Sequence, residues 1–290
     1  MDKIMASSKV AIVTGGNKGI GLAIVRALSK VFNGDVYLTA RNNVKGLEAV
    51  DQILNQECLD MKYHQLDIDD NASIRRLKND MLANYGGVDI LINNAAISFK
   101  KANTTPFVQQ VMATMQTNFF STLEMSRAFL PIIKQNGRVV NMSSSLSVNA
   151  LKQCSPELQA EFRSDNISEE QLVQRMRDFE KCAKEDALDE HGFPTSPDAP
   201  YGMSKVGVTV MSRIHANWLK EHGKRDILLN CCCPGWVQTD MGGPKAPKTP
   251  DEGAQTPIRL ALLEEGTNSP HGEFIIEETL HHWWDTSKSL

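Results

Sequence analysis

The chain has 290 residues and a formal net charge of -4 at pH 7, with 23% charged residues. This balance excludes a general binder of nucleic acid or of membrane surfaces, because both partners demand clustered positive charge. The length suits one large α/β domain or two small ones. No linker divides the sequence, so we expect a single domain over residues 1–290.

Targeting, membrane and metal signals are not expected in this sequence. No apolar run approaches the roughly 18 to 20 residues that cross a bilayer, and residues 1–9 lack the apolar middle of a secretory signal. Cys231, Cys232 and Cys233 are contiguous, unlike a disulfide framework, and no partner lies at metal-ligand spacing around them. We therefore expect a soluble cytoplasmic protein with reduced thiols and no metal.

The amino-terminal region predicts a βαβ unit, which implies parallel strands and a right-handed crossover. Its parts are a buried strand at Lys9–Thr14, a helix at Ile20–Phe32 and a strand at Asp35–Ala40. The alternation then continues with helices near Lys45–Leu54, Ser73–Asn84, Tyr201–His222 and Asp251–Leu263, a helical pattern over Thr105–Ile133, and strands at Tyr63–Leu66, Val88–Ile92, Arg138–Met142, Ile227–Cys232 and Glu273–Ile276. This order predicts a Rossmann-type, doubly wound parallel sheet of the α/β class.

One segment, at about 147–200, interrupts the alternation. It is polar and helix-forming, with helix starts at Pro156–Glu157 and Ser168–Glu170 and a proline-rich return at Gly192–Pro200. We interpret it as a helical insertion rather than as a separate domain. Near the carboxyl end, His281–Trp284 is interpreted as a docked or frayed terminus rather than as a metal site.

The segment Thr14–Gly21 follows the first predicted strand and opens the first helix. Gly15, Gly19 and Gly21 are spaced differently from the commoner G-x-G-x-x-G pattern, but they stand where a phosphate-binding turn must stand. Glycines let backbone N–H groups and the helix amino terminus approach a pyrophosphate. An ordinary glycine-rich turn is the alternative interpretation.

The end of the second strand distinguishes between two dinucleotides. An NAD site usually has an acidic residue there, which accepts a hydrogen bond from the ribose 2′-hydroxyl. Here the chain has Ala40 and Arg41, and a second base, Lys18, lies inside the glycine turn. Two cations favour a 2′-phosphate, so we predict NADP(H), although either side chain alone could be a solvated surface charge.

Tyr201 and Lys205 are separated by four residues in a predicted helix and so project from one face. An ammonium beside a phenol can lower the phenol's pKa from its usual value of roughly 10 and can also bind a ribose. The pair is a candidate proton donor at a nicotinamide site. By itself, the spacing would equally describe a solvated surface pair.

Together these motifs resemble those of the short-chain dehydrogenase/reductase superfamily, and within it the monomeric NADPH-dependent carbonyl reductases of vertebrates. The resemblance runs from about Val10 to Ile276. Besides the glycine turn and the Tyr/Lys pair, it depends on Asp67, Asn93-Asn94-Ala95, Thr117–Phe120, Asn141–Ser144 and Pro234–Asp240.

The resemblance implies a catalytic tetrad of Asn118, Ser144, Tyr201 and Lys205. Tyr201 would donate a proton to the substrate oxygen, and Ser144 would hold that oxygen by a hydrogen bond. Lys205 would bind the nicotinamide ribose and lower the pKa of Tyr201, and Asn118 would anchor a water relay. Hydride addition builds alkoxide character on the oxygen, which such donors stabilise.

The resemblance also implies a set of cofactor contacts, in which Asp67 reaches the adenine, Asn94 faces a ribose, and Val237 and Thr239 hold the carboxamide. The full set is Gly15, Asn17, Lys18, Gly19, Ile20, Gly21, Arg41, Asp67, Ile68, Asn94, Tyr201, Lys205, Pro234, Val237 and Thr239. Without the resemblance, Asp67 could be an acid near a helix start and Asn94 a turn residue.

Two departures from the family pattern concern the site. Ala96 replaces the glycine of Asn-Asn-Ala-Gly, and its methyl group could narrow the backbone beside the cofactor and lower turnover. Ser145 extends the serine run, but register with Asn141 favours Ser144 over Ser143 and Ser145, which would point the other way from a strand end.

Substrate contacts are expected at Ser144, at Trp236 as an apolar wall, and at Phe99, Lys100 and Gln110. The last three match the region where this subgroup accommodates glutathione conjugates, although a lysine pair is more often a solvated loop. The insertion at 147–200 matches helices that cover the surface used by other superfamily members for tetramer packing. This implies a monomer; a lid over the site is the alternative.

The expected function is NADPH-dependent reduction of ketones, aldehydes and quinones, with prostaglandins and 20-keto steroids as candidates implied by the family. A narrow hydroxysteroid or prostaglandin dehydrogenase is one alternative. A weakly active, NADP-binding regulatory protein is an alternative of another class, suggested by Ala96 and opposed by the intact tetrad.

Overall fold

A computed structural model describes residues 9–99, 104–224 and 226–284. In these ranges the strands form one eight-stranded sheet of order β3-β2-β1-β4-β5-β6-β7-β8. The strands are β1 Val10–Val13, β2 Asp35–Ala40, β3 Lys62–Gln65, β4 Val88–Asn93, β5 Ile133–Met142, β6 Leu228–Cys233, β7 Phe274–Ile276 and β8 Thr279–His281. The pairs from β3 to β7 are parallel, and β8 pairs with β7 antiparallel.

Helices connect the parallel strands. They are α1 Gly19–Val31, α2 Asn43–Glu57, α3 Asn71–Tyr85, α4 Phe107–Thr114, α5 Ser121–Phe129, α6 Leu146–Gln153, α7 Pro156–Arg163, α8 Glu169–Lys184, α9 Ala199–Glu221 and α10 Pro250–Ala261. A π-helical turn at Met115–Phe120 joins α4 to α5, and a short 3-10 helix at Leu130–Ile132 precedes β5. No helix of the described ranges is long and apolar enough to span a bilayer.

Alternating side chains of the central strands build a core on each face of the sheet. Ala11 and Val13 of β1 pack with residues of α1 and α10 on one face. Val10 and Ile12 pack with residues of α3, α5 and α9 on the other. Every residue of β1 is fully buried, as expected for a parallel strand covered on both sides.

The sheet order places a crevice where the connections change direction. β1 pairs with β2 on one side and with β4 on the other, so the chain winds outward both ways from this point. Ligands of open α/β sheets bind outside the carboxyl ends of the strands at such a switch point. The glycine turn after β1, Asn94 after β4 and the serine run after β5 all lie at this edge.

The predicted α/β class and doubly wound sheet are confirmed. Two predictions about the elements were wrong. The helical pattern was expected to reach Ile133, but β5 already begins there, because Ile133 pairs with Val88 of β4. The sequence also did not predict β8, because the three residues Thr279–His281 carry little periodic signal.

The helices of the 147–200 segment begin where the sequence predicts. Ser155 caps α7 by accepting from the Leu158 N–H, and Ser168 caps α8 by accepting from the Gln171 N–H. Their apolar residues join the core on the α9 face, in a cluster that includes Phe162, Leu172, Met176, Phe179, Met203, Val206 and Val210. The segment therefore packs against α9 as part of the same core.

The carboxyl end of the described chain is docked. Trp283 is fully buried, and its indole N–H donates to the Ser147 hydroxyl at 3.3 Å. The Arg213 guanidinium lies 4.1 Å from the ring centroid of Trp284, a distance suited to a cation–π contact. Of the two interpretations of His281–Trp284, docking is the one that the structure shows.

Candidate active site

The candidate proton donor lies in the first turn of α9. Tyr201 and Lys205 share a helix face, and the Lys205 Nζ lies 5.5 Å from the centroid of the Tyr201 ring. Lys205 is 3% exposed, and its Nζ donates to the Met142 carbonyl at 2.7 Å. The helix therefore places a phenol and a buried ammonium beside the carboxyl end of β5.

Burial, rather than Lys205, controls the pKa of Tyr201. Burial raises this pKa, the Cys233 sulfur raises it further, and a hydrogen bond with the Ser144 hydroxyl lowers it. Lys205, whose ammonium donates to the Met142 carbonyl, is not among the groups that shift this pKa. Burial lowers the pKa of Lys205 itself to about 8, against opposing contributions from Cys233 and Cys232. The phenol is thus protonated at neutral pH, which is the form that can act as an acid.

The serine run after β5 divides its side chains between three environments. Ser143 is 2% exposed, and its Oγ lies 2.6 Å from the Thr209 Oγ1 on α9. Ser145 is exposed and stands at the start of α6. Ser144 is the member that contacts the Tyr201 phenol. The structure therefore brings Ser144, rather than Ser143 or Ser145, to the phenol, two residues after the strand ends at Met142.

Asn118 lies in the π-helical turn at Met115–Phe120, a type of irregularity that is frequent at functional sites. Its Oδ1 accepts from the Ile97 N–H at 2.8 Å, and its Nδ2 donates to the Ile97 carbonyl at 2.9 Å and to the Ser204 Oγ at 3.1 Å. The Ser204 hydroxyl in turn donates to the Tyr201 carbonyl at 2.7 Å. Asn118 is thereby fixed to the helix turn that carries the phenol.

Ser204 was missed by the sequence reasoning. It is fully buried, and it links Asn118 to α9. Its position three residues after Tyr201 is the available signal, because residues at that spacing lie on neighbouring parts of one helix face. Nothing in the sequence pairs it with Asn118, which lies 86 residues away.

Asn94 holds the glycine turn in place. Its Nδ2 donates to the carbonyls of Thr14 at 2.8 Å and of Gly15 at 3.2 Å. The Thr14 hydroxyl accepts from the N–H groups of Asn94 and Ala95, both at 2.9 Å. The side-chain amide therefore binds the glycine turn beneath the crevice, and its contact with a ribose stays a prediction.

The glycines of the turn are required by its geometry. Gly15 and Gly19 have φ values of +63° and +56°, in the left-handed region that glycine adopts without strain. A Cβ on Gly21 would lie 2.3 Å from the Gly15 carbonyl oxygen, well inside contact distance. A side chain at these positions would displace the turn from β1.

The amino terminus of α1 fits a bound pyrophosphate. Helix α1 has no side-chain cap and no acidic residue in its first turn, whereas α8 and α10 begin with complete capping boxes and acidic residues. Uncapped N–H groups with the positive end of the helix dipole form an anion site. The turn Gly15–Gly21, with Asn17 and Ile20 half-buried beside the exposed Lys18, supplies that surface.

The other predicted cofactor positions lie at the ends of neighbouring strands. Arg41 is exposed directly after β2, and its carbonyl accepts from the Gln65 Nε2 at 3.2 Å. Asp67 and the buried Ile68 follow β3, and the Asp67 Oδ1 accepts from the Asp69 N–H at 3.1 Å. Asp70, not Asp67, caps α3, so Asp67 is not needed as the helix cap.

The loop after β6 closes the opposite side of the crevice. Half-buried Pro234 begins this loop, Val237 is 3% exposed, and Thr239 lies against Gly19, whose Cβ would be 3.1 Å from the Thr239 Cγ2. The glycine turn and the Val237–Thr239 segment thus lie side by side, with Gly19 next to Thr239.

Comparison with known proteins agrees with this geometry. Residues 9–156 match the family model described as short chain dehydrogenase. The chain belongs to the short-chain dehydrogenase family. The predicted membership is confirmed.

Full-length relatives extend this match along the chain. The chain is 55% identical to the human (Homo sapiens) protein named carbonyl reductase 1 (NADPH), over 94% of this chain and 98% of the relative. It is 54% identical to the protein of the same name from Bos taurus, over 96% of this chain and 99% of the relative. The structure of salutaridine reductase from Papaver somniferum superposes with a TM-score of 0.80 at 28% identity, covering 92% of this chain and 99% of that one.

Trp236, which is expected to form an apolar wall for the substrate, lies at the surface of the loop after β6. It is 57% exposed, and its indole N–H donates to the Gly242 carbonyl at 2.9 Å within the same loop. Its backbone carbonyl accepts from the Lys248 N–H, and Val237 pairs with Lys248 in an isolated bridge. The ring is therefore held at the rim of the crevice, where an incoming substrate would meet it.

The remaining predicted substrate residues are only partly placed. Phe99 is half-buried and lies two residues beyond Ile97, which binds Asn118. The Gln110 Nε2 donates to the Thr105 carbonyl at 2.7 Å, which links the first turns of α4 to the residues just before the helix. Lys100 lies outside the described residues. In the described ranges no group of three His, Cys, Asp or Glu side chains could hold a metal ion.

Ala96 departs from the family pattern without visible strain. The described non-glycine residues with positive φ are Cys58, Asn136, Asp186, Glu277 and Glu278. Ala96 is therefore outside the left-handed region in which a methyl group would be costly. The expected effect of the methyl on turnover stays a prediction.

Proposed function

We propose that this protein is an NADPH-dependent carbonyl reductase of broad range, which reduces ketones, aldehydes and quinones to alcohols with Tyr201 as the proton donor. The observation that carries the proposal is the meeting of Tyr201, Ser144 and Lys205 at the carboxyl end of β5. This group lies on the same edge of the sheet as the glycine turn.

NADP(H) is the cofactor. The names of the human and bovine relatives specify NADPH, and their identity covers nearly the whole chain. The residues fit this cofactor, because α1 presents an uncapped amino terminus and both Lys18 and Arg41 are exposed beside it. Two cations would bind the 2′-phosphate, which distinguishes NADPH from NADH. When bound, NADPH supplies the hydride.

The chain's own residues would supply the proton and hold the oxygen. Tyr201 is protonated at neutral pH because burial raises its pKa, and its hydroxyl shares a hydrogen bond with Ser144. A carbonyl oxygen placed between the two hydroxyls would accept from both. Fixed donors in a buried site stabilise the developing alkoxide more than water does.

Lys205 and Asn118 would restore the proton. The buried Lys205 ammonium, whose pKa is about 8, faces the same space as the phenol and would bind the nicotinamide ribose. Asn118 is bonded to Ser204 and Ile97, and a water on the neighbouring π-helical turn would link the site to solvent.

The broad substrate range is supported by the openness of the rim. Trp236 is more than half exposed, so its aromatic ring is accessible to substrates of different shape. Prostaglandins and 20-keto steroids are proposed substrates. Glutathione conjugates are further proposed ligands, and they would contact Phe99, Lys100 and Gln110.

We also propose a monomeric, cytoplasmic enzyme of one domain. The insertion helix α8 is tied to α5 and α9, because Glu169 accepts from both Arg127 and His215, at 2.7 Å and 2.6 Å. Arg213 of α9 donates to the Arg163 carbonyl of α7 at 2.9 Å. These contacts cover helix surfaces that could otherwise pack against another subunit. Light scattering coupled to size exclusion would contradict the monomer by giving a stable tetramer.

Steady-state oxidation of NADPH tests the function most simply. We expect turnover of menadione, a simple aromatic aldehyde, a 20-keto steroid and a prostaglandin, with kcat/KM values spread over no more than a few decades. Turnover of one steroid or one prostaglandin alone would favour a narrow dehydrogenase. Saturable binding of NADPH without turnover of any carbonyl would contradict the proposal.

A further inference from the structure

An ion pair joins the glycine turn to the loop after β6 at the rim of the candidate cofactor crevice. The Lys18 Nζ lies 2.7 Å from the Asp240 Oδ2, although the two residues are 222 positions apart in the chain. Lys18 belongs to the glycine turn, and Asp240 follows Thr239 in the loop after β6. The neighbouring residues of the two segments, Gly19 and Thr239, are also in contact. The pair therefore joins the glycine turn to the loop after β6 at the exposed rim of the candidate cofactor crevice.

We infer that Asp240 lowers the affinity for NADPH by competing with the 2′-phosphate for Lys18, so that it weakens the preference for NADPH over NADH. The inference rests on the proposed function in one respect, the role of Lys18 at the 2′-phosphate. While the Lys18 ammonium is paired with Asp240 at 2.7 Å, its charge is partly neutralised and fewer of its three donors are available to a phosphate.

The charges at this rim support a competition instead of a permanent bond. The side chains of Lys18 and Asp240 are 67% and 79% exposed, so their contact is readily exchanged. An exposed pair contributes little, whereas a phosphate monoester carries a charge of about -1.5 to -2 at pH 7. The phosphate should therefore displace the Asp240 carboxylate from Lys18. The free energy of the Lys18–Asp240 ion pair is then lost from the free energy of binding.

The position of this acid reverses the usual arrangement. In an NAD site an acidic residue at the end of β2 accepts from the ribose 2′-hydroxyl. Here Arg41 follows β2, and the carboxylate comes from the loop after β6 and faces the base. Asp240 thus acts on the 2′-phosphate through Lys18, and not by contact with the ribose.

Fluorescence titration of NADPH and NADH measures the effect without requiring turnover. The variants are Asp240→Asn, Lys18→Ala and the double variant, each compared with the wild-type chain. Glu265→Gln is the matched control, because Glu265 forms a similarly exposed pair with Lys9, at 2.8 Å, at the amino-terminal end of β1 and away from the crevice.

We expect Asp240→Asn to lower the Kd for NADPH about two- to fivefold, the size that an exposed pair allows, and to leave the Kd for NADH unchanged. In the Lys18→Ala background, Asp240→Asn should leave the Kd for NADPH unchanged, because Asp240 is expected to act only through Lys18. The effects of two substitutions at interacting residues are not additive. Glu265→Gln should change neither Kd.

Three results would overturn the inference. They are an unchanged or higher Kd for NADPH in Asp240→Asn, an equal change for NADH, and an effect of undiminished size in the Lys18→Ala background. If wild type binds NADPH but reduces no carbonyl, the proposed function fails while these titrations still decide the role of Asp240.

Discussion

The catalytic group and the cofactor rim use charge in opposite settings. Lys205 is 3% exposed and bonded to Met142, whereas the side chains of Lys18 and Asp240 are mostly in solvent. In a buried site each fixed donor acts in a low dielectric, and single groups there change rates by orders of magnitude. At an exposed rim, water and salt screen each charge, so single groups change affinity severalfold. The chemistry and the choice of cofactor are therefore separable by mutation.

The largest expected effect comes from removing the phenol hydroxyl of Tyr201. Tyr201→Phe keeps the ring and removes the proton donor, so we expect kcat with menadione and NADPH to fall about 10²- to 10⁴-fold. The Kd for NADPH, measured by fluorescence, should change little because the hydroxyl is not a charged contact. A kcat near that of wild type would remove Tyr201 from the mechanism.

Substitution of Ser144 should have the next largest effect. Ser144→Ala removes the hydroxyl bonded to the phenol, and the loss of one donor to a developing oxyanion lowers kcat by about 10²- to 10³-fold. Ser145→Ala is the matched control, because that side chain is exposed at the start of α6. Equal losses in the two variants would contradict the assignment of Ser144.

The exposed base Arg41 is expected to act on the cofactor alone. Arg41→Ala should raise the KM for NADPH about tenfold, the value of one charge-assisted hydrogen bond, and leave kcat and the KM for NADH close to wild type. Arg259→Ala, which removes an exposed guanidinium paired with Glu278, serves as the control. A parallel rise in the KM for NADH would show that Arg41 does not read the 2′-phosphate.

The smallest expected effect is on stability. The pKa of Lys205 falls from 10.5 to about 8 in the folded chain, so the unfolded chain binds more protons between these values and stability should rise with pH across that window. Below pH 8 Lys205 is charged in both the folded and the unfolded chain, so the full cost of burying its charge lowers the free energy of unfolding. Lys205→Met removes it and loses one bond to Met142, so we expect the free energy of unfolding at pH 7 to rise by about 1–2 kcal/mol.

Urea unfolding at pH 7 measures this change, with Lys62→Met as the opposite control. The Asp35 carboxylate and the Tyr85 hydroxyl raise the pKa of Lys62 by hydrogen bonding, so loss of that ammonium should lower the free energy of unfolding. A loss of stability in Lys205→Met would mean that the ammonium is held more favourably than its lowered pKa indicates.

The local parts of this account could be predicted from the sequence. The spacing of Tyr201 and Lys205 defines a helix face, and the glycines after a buried strand define a phosphate-binding turn. The capped starts of α7 and α8 also follow from short-range patterns at Ser155 and Ser168.

The remaining features depend on contacts between distant residues. The link from Asn118 to Ser204 and the pair of Lys18 with Asp240 join residues 86 and 222 positions apart. The pKa of Tyr201 depends on burial, and the rim position of Trp236 depends on a bond to Gly242, so neither is contained in local periodicity. β8 is defined by its pairing with β7 and not by its three residues.

The most direct test measures kcat and KM for NADPH and for NADH in wild type, Tyr201→Phe and Arg41→Ala, with menadione as the common substrate. The account predicts that Tyr201→Phe lowers kcat equally with both cofactors and preserves their ratio of kcat/KM. It predicts that Arg41→Ala preserves kcat and reduces that ratio by raising the KM for NADPH alone. A changed ratio in Tyr201→Phe, or a lower kcat with both cofactors in Arg41→Ala, would contradict the separation of chemistry from cofactor choice.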